Sequence, residues 1–152
     1  MLTVRRLDHL VLTCRDVAAT IRFYTEVLGI REITFGNGRK ALAFGQQKLN
    51  LHPVGGKRGQ AQFPMANGGP TGVAHEIEPG PFPIAARPTP GSADLCLIVA
   101  QPLDVVAAHL AACGVPVEEG PVIRTGALGP IESVYIRDPD GNLVELSRYL
   151  DG

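Results

Sequence analysis

The feature that most constrains this chain is an internal repeat. A strand-like run, a helix closed by glycine and a set of short strands occur once, then occur again in the same order. Asp94 follows His9 by 85 residues, and Gly114 follows Gly29 by the same 85. Loops lengthen in the second copy, so Leu49-Asn50-Leu51 aligns with Val144-Glu145-Leu146 at an offset of 95. Side-chain identity between the copies is weak, and the order of elements is what repeats. Two copies of β-α-β-β-β predict an α+β fold of two matching modules.

Local signals place the elements. Residues 4–13 read as a first strand, with Asp8, Leu10 and Leu12 on one face and His9 and Val11 on the other. Asp16 is suited to cap a helix over 17–28, because its carboxylate can accept the orphan amides of a first turn. Val17, Ile21, Tyr24 and Leu28 recur at helical spacing. Gly29 closes it. Strands are expected near 31–35, 40–45 and 48–54, with turns at Gly36-Asn37-Gly38 and Gly45-Gln46-Gln47. In the second copy a strand over 93–99 precedes a helix with Pro102 at its first position and Leu103, Val106, Leu110 and Cys113 on one face. Strands then follow near 115–118, 132–137 and 143–149, the last two joined by Asp138-Pro139-Asp140-Gly141-Asn142. Between the copies, residues 53–90 hold eight Pro and seven Gly without periodicity, which reads as one long loop. The organisation expected is a single domain over 1–152, with modules at 4–54 and 92–150 joined by 55–91.

Composition excludes several classes. With 14 basic and 15 acidic residues and no basic run, nothing draws the chain to a nucleic-acid backbone. No apolar stretch approaches the length of a membrane span, and the N-terminus does not read as a signal peptide. Cys14, Cys96 and Cys113 are odd in number and lack CxxC spacing, which fits a reducing compartment, the cytoplasm. No phosphate-binding glycine loop is present.

The residues able to carry chemistry stand at matched places. His9 is on the first strand of one copy, Asp94 at the same place in the other. Glu145 is on the last apolar strand, where an unpaired carboxylate would be costly to bury, and its counterpart is Asn50. His52 shares the face of Asn50, two residues on. His9, His52, Asp94 and Glu145 are all metal-competent donors, and a pseudo-twofold would converge them on one cavity. Arg124, beside a turn, is a candidate grip for a substrate carboxylate or phosphate. His109 on the second helix, His75 in the long loop and Cys96 as a nucleophile are weaker candidates.

LDHLVLTCRDVAATIRFYTEVLGI resembles the opening of a glyoxalase/bleomycin-resistance/extradiol-dioxygenase half, the vicinal oxygen chelate superfamily, and YIRDPDGNLVEL resembles its closing hairpin. RKALAFGQQKLNLH, RPTPGSADLCLI and CGVPVEEGPVIRTGALGPIESVYIRDPDGNLVEL are more similar still to the glyoxalase domain-containing protein five group and its bacterial relatives. The resemblance covers most of 4–149 and leaves much of 53–86 unmatched. It implies paired βαβββ modules curving into a cup. It further implies a divalent metal (Zn, Mn, Ni, Fe or Co) that chelates neighbouring substrate oxygens, and a homodimer. His9 and Glu145 fall on the family's first-strand and last-strand ligands, Asp94 where many members have a second His, and Asn50 where the glyoxalase I members have a carboxylate; His52 would substitute for it. Glu145 would also move a proton. The activity implied is that of a metal-dependent lyase or isomerase acting on a small oxygenated metabolite. A non-catalytic drug-sequestering protein of bleomycin-resistance type is the alternative. An extradiol dioxygenase is a second alternative, although its two-His, one-Glu module has no counterpart in the second copy.

Overall fold

The computed structural model describes residues 1–36, 38–55 and 84–150. The expected turn residue Asn37, most of the connecting stretch 55–91 and His75 within it lie outside the described residues.

Each copy builds a four-stranded mixed sheet. In the first, β1 (His9–Cys14) leads through Asp16, whose Oδ1 accepts from the Ala19 amide at 3.0 Å, into α1 (Val17–Arg22). The helical path continues as a wider π turn over Phe23–Val27, not as one regular helix to Leu28. Gly29, at φ 66, turns the chain into β2 (Arg31–Phe35), followed by β3 (Arg39–Phe44) and β4 (Gln47–Pro53). In the second copy β5 (Asp94–Ile98) precedes α2 (Leu103–Ala112), Gly114 at φ 71, and then β6 (Glu119–Thr125), β7 (Pro130–Arg137) and β8 (Leu143–Tyr149). The strand orders are β1-β4-β3-β2 and β5-β8-β7-β6, with β1/β4 and β5/β8 parallel and the other pairs antiparallel. The α+β pair of βαβββ modules is therefore observed.

Three boundaries differ from the sequence expectation. The first strand begins at His9, not near Val4: His9 pairs with Lys48 at the start of β4, and upstream of it the contacts come from side chains, Gln47 Nε2 donating to the Leu7 carbonyl and Arg6 Nη1 to the Gln46 carbonyl, not from ladder pairing. The expected strand at 115–118 is a connector whose Val115 and Val117 pack on the core; the strand is β6, whose exposed Glu-Gly-Pro opening gave no strand signal. Pro102 occupies the cap position, one before the helix, and Cys113 is exposed.

Alternation divides each sheet into two faces. Leu12, Cys14, Leu42, Leu49 and Leu51 of the first sheet join Leu95, Val134, Ile136, Val144 and Leu146 of the second in one hydrophobic core, together with Tyr24 and Leu110 from the helical segments. The modules thus meet through their helix-bearing sides. Polar contacts fix the junction: the Tyr24 hydroxyl donates to Asp138 Oδ2 at 3.1 Å, and the Arg15 amide to Asp140 Oδ1 at 2.9 Å. The opposite, open face of each sheet points away from this shared core.

Cys14 is fully buried at that junction. Burial, opposed by Thr20 and reinforced by Asp140 and Asp138, pushes its thiol up to about 11. The folded chain therefore resists ionisation that the unfolded chain undergoes near pH 8.5. The resulting stability is complete below about pH 8.5 and is lost as pH rises through about 11. We expect urea midpoints to fall over that interval and Cys14→Val to remove part of the fall. Iodoacetamide should label Cys14 only on unfolding; rapid labelling of Cys14 in the folded protein at pH 8 would contradict this.

Candidate functional site

The candidate residues occupy the open faces. On the first sheet Val11 pairs with Asn50 and His9 with Lys48; on the second Cys96 pairs with Glu145 and Asp94 with Leu143. These pairs are related by the same offsets of 85 and 95 read from the sequence. Each module therefore offers a matched diagonal of two donors on adjacent strands: His9 with Asn50, and Asp94 with Glu145.

Each diagonal carries one buried acceptor atom without a partner, although the Glu145 carboxylate also acts on Cys96 and Tyr135 through side-chain hydrogen bonds. Asn50 Oδ1 and Glu145 Oε1 are buried and have no hydrogen-bond partner among the described residues. A buried acceptor without a donor costs free energy unless a ligand, water or cation meets it. That both modules carry one at the equivalent position is the most specific polar feature of the open faces.

His9 is held by its neighbour. Its Nδ1 lies 2.9 Å from Asp8 Oδ1, and that hydrogen bond, followed by Arg6, holds the Asp8 carboxyl below the usual carboxylate range. Such a carboxylate fixes the tautomer that leaves Nε2 with its lone pair available. These are the donor types that fit a divalent cation: an oriented imidazole, an amide oxygen and two carboxylates.

The remaining expected residues are placed less favourably. His52 is on the same face as His9, but it pairs with Thr13, four residues further along β1, so about 13 Å separates them along the strand. The two imidazoles are not brought together. Burial, and then the nearby Arg39, holds the His52 imidazole below its ordinary value. Arg124 is already engaged: Nη2 is 2.5 Å from Glu119 Oε1, and Nε donates to the Tyr135 hydroxyl at 3.2 Å. Cys96 Sγ donates to Ser147 Oγ at 3.2 Å, and burial together with the Glu145 charge pushes its thiol up, so it is not an activated nucleophile. His109 is remote from both diagonals, with Nε2 2.7 Å from the Val27 carbonyl.

Nor does one chain assemble the whole set. His9 and Asn50 are on one open face, Asp94 and Glu145 on the other. No group of three or more His, Cys, Asp or Glu able to hold a metal occurs among the described residues. Sequence reasoning missed Lys48 and Phe35 on the first open face, although the alternation Lys48, Asn50, His52 carried the signal for the lysine.

Comparison with known proteins gives consistent matches. Residues 6–146 match the family model of the Glyoxalase/Bleomycin resistance protein/Dioxygenase superfamily. The Salmonella typhimurium virulence protein STM3117 is 50% identical over 147 residues, covering 97% of this chain and 86% of that protein. Its crystal structure aligns with a TM-score of 0.79 at 48% identity over 98% of this chain and 100% of that one. The glyoxalase domain-containing protein RDO1 of Mycosarcoma maydis is 48% identical over 150 residues, 99% of this chain and 72% of that protein. An integron cassette protein from the mobile metagenome of V. cholerae aligns with a TM-score of 0.79 at 44% identity, covering 98% of each chain.

Proposed function

The chain belongs to the Glyoxalase/Bleomycin resistance protein/Dioxygenase superfamily, and from that premise we propose a metal-dependent enzyme of lyase or isomerase type acting on a small oxygenated metabolite. The observation that carries this reading is the matched pair of buried, unpartnered acceptors, Asn50 Oδ1 and Glu145 Oε1. His9 and Asn50 from one copy of the chain, with Asp94 and Glu145 from a second, would hold a divalent cation. Zn, Mn, Ni, Fe and Co all accept such nitrogen and oxygen donors. The bound metal would supply Lewis-acid polarisation of substrate oxygens. Glu145 would serve by turns as a donor to the cation and, when released from it, as the group that takes and returns the proton, while His52 faces the substrate away from the donor set. The second open face carries Asp94 and Glu145 without a His among the described residues, which favours this reading over ring cleavage. Within the superfamily we propose the glyoxalase domain-containing protein five group, on the resemblance of RKALAFGQQKLNLH and RPTPGSADLCLI to it.

The same geometry supports a homodimer. The open faces of one chain point apart, and each needs a complement. The edge strands β1 and β5 expose Leu10 at 43%, Val11 at 47% and Ile98 at 56%, apolar edges of the kind a second subunit covers. Modules 4–54 and 92–150, joined by 55–91 into one domain over 1–152, would then each contribute half a cup to two sites. No helix among the described residues is long and apolar enough to cross a membrane. With Cys14, Cys96 and Cys113 all free, we place the protein in the cytoplasm.

Light scattering combined with elemental analysis across a dilution series tests this reading. Metal content is expected to fall in step with the dimer, and His9→Gln to remove most of it while leaving the dimer intact. A monomer that keeps a full metal complement would end the shared site. A dimer that binds small molecules but takes up no metal would leave sequestration without turnover as the function.

A further inference from the structure

Lys48 spans the open face of the first sheet. It pairs with Ala43 on β3, four residues from Arg39, which pairs with Phe35 on β2. That is about 13 Å along the strands and two strands across. Lys48 Nζ nevertheless lies 3.7 Å from the centroid of the Phe35 ring. The Arg39 guanidinium carbon lies 4.5 Å from the same centroid. Two cations therefore converge on one phenyl ring.

Lys48 makes no ion pair among the described residues. The acid that feels its charge, Asp8, is hydrogen-bonded to His9 and 3.6 Å from Arg6. A ring face attracts an ammonium, but an anionic oxygen offers it a charge-assisted hydrogen bond, which is the stronger contact. Arg124, the sequence candidate for such a contact, is occupied by Glu119 and Tyr135. The anion site is therefore to be sought on the other sheet.

We propose that Lys48, with Arg39 beside it over Phe35, receives an anionic group of the substrate, so that the substrate class is a small oxygenated acid or phosphate ester, not a neutral molecule. This rests on the metal-centred reading above. The chelating oxygens would lie toward His9 and Asn50, and the carboxylate or phosphate toward the Phe35 end of the face.

The test uses three probes that share one chelating head: catechol, 3,4-dihydroxybenzoate and 3,4-dihydroxyphenylphosphonate. Each is titrated anaerobically into the zinc-loaded protein by calorimetry. An anionic probe is expected to bind about ten-fold more tightly than catechol, and whether the carboxylate or the phosphonate gains more identifies the group. Lys48→Met is expected to bring that ratio close to one without weakening catechol, and Lys48→Arg to restore it. A ratio near one in the unaltered protein, or a ratio unchanged in Lys48→Met, overturns the proposal. If the loaded protein binds no catechol at all, the metal-chelate reading fails separately. Inorganic phosphate and benzoate titrated into metal-free protein then decide the anion site alone. Binding lost in Lys48→Met supports it, and binding absent or independent of Lys48 overturns it.

Discussion

Asp138→Ala is expected to destabilise the chain by about 3–5 kcal/mol, more than any other single truncation of a polar side chain at the module junction. Asp138 is only 5% exposed and accepts four hydrogen bonds. Oδ1 takes the Asp140 and Asn142 amides, each at 2.9 Å; Oδ2 takes Asn142 Nδ2 at 2.8 Å and the Tyr24 hydroxyl at 3.1 Å. Truncation leaves four donors without an acceptor in a region from which water is largely excluded. Each such orphan costs about 1–3 kcal/mol, and local relaxation recovers part of the total. The damage also spreads. The turn that Asp138 organises holds Asp140 against the Arg15 amide, and it presents Asn142 Oδ1 to the Ala93 amide at 2.9 Å. Gly91 tightens the same junction: its φ is 76, and a Cβ there would come within 2.4 Å of the Asp140 carbonyl oxygen. Tyr24→Phe removes one of the four bonds and should cost about 1 kcal/mol, with Asp138→Asn between the two. Urea midpoints at a fixed protein concentration check the ranking, since association would otherwise shift the apparent stability. A loss in Asp138→Ala no larger than that in Tyr24→Phe would show that the turn holds without its carboxylate.

Much of this architecture was legible because local chemistry and the repeat agreed. Asp16 announced its helix, Gly29 and Gly114 their helix ends, and Asp138-Pro139-Asp140-Gly141-Asn142 its turn, each through a backbone need that only certain residues meet. The two offsets then carried the diagonal His9/Asn50 onto Asp94/Glu145, and the strand pairings show the same relation. What could not be read was set by pairing and by tertiary placement. Val4 and Leu7 have strand-like composition, yet the backbone pairing of β1 with β4 starts only at His9 and Lys48. Glu119 to Thr125 lacks an apolar alternation, yet β7 supplies its partner. Parity shows which side chains share a face, but not which faces look at each other. That is why the sequence leaves open whether the four expected donors meet within one chain or between two, while the common core of Leu12, Tyr24, Leu110 and Leu146 turns their two faces apart. His52 illustrates the same limit in miniature: it shares a face with His9 but lies four residue positions further along the sheet.

Glu145→Gln is expected to lower turnover by about 100-fold to 10,000-fold while weakening ligand binding far less. The side chain keeps its length and one acceptor oxygen, so the volume between Cys96 and Tyr135, its neighbours in register on β5 and β7, stays filled. What disappears is a group able to take and return a proton. The chain itself contains the control, because the equivalent position in the first module is already an amide, Asn50. Glu145→Gln would give the assembled site two amides, and Asn50→Asp in that background would return one carboxylate to the opposite wall. If the acid serves only to supply charge to the cation, the double variant should recover both metal affinity and turnover. If Glu145 moves the proton, as proposed, the double variant should recover metal affinity and remain slow, since the base then stands on the wrong side of the substrate. Metal content, kcat and KM, measured with a substrate identified by a metal-supplemented screen, separate the cases. Equal losses in turnover and in ligand binding for Glu145→Gln, both restored by Asn50→Asp, would remove the proton-transfer role and leave Glu145 as a ligand alone.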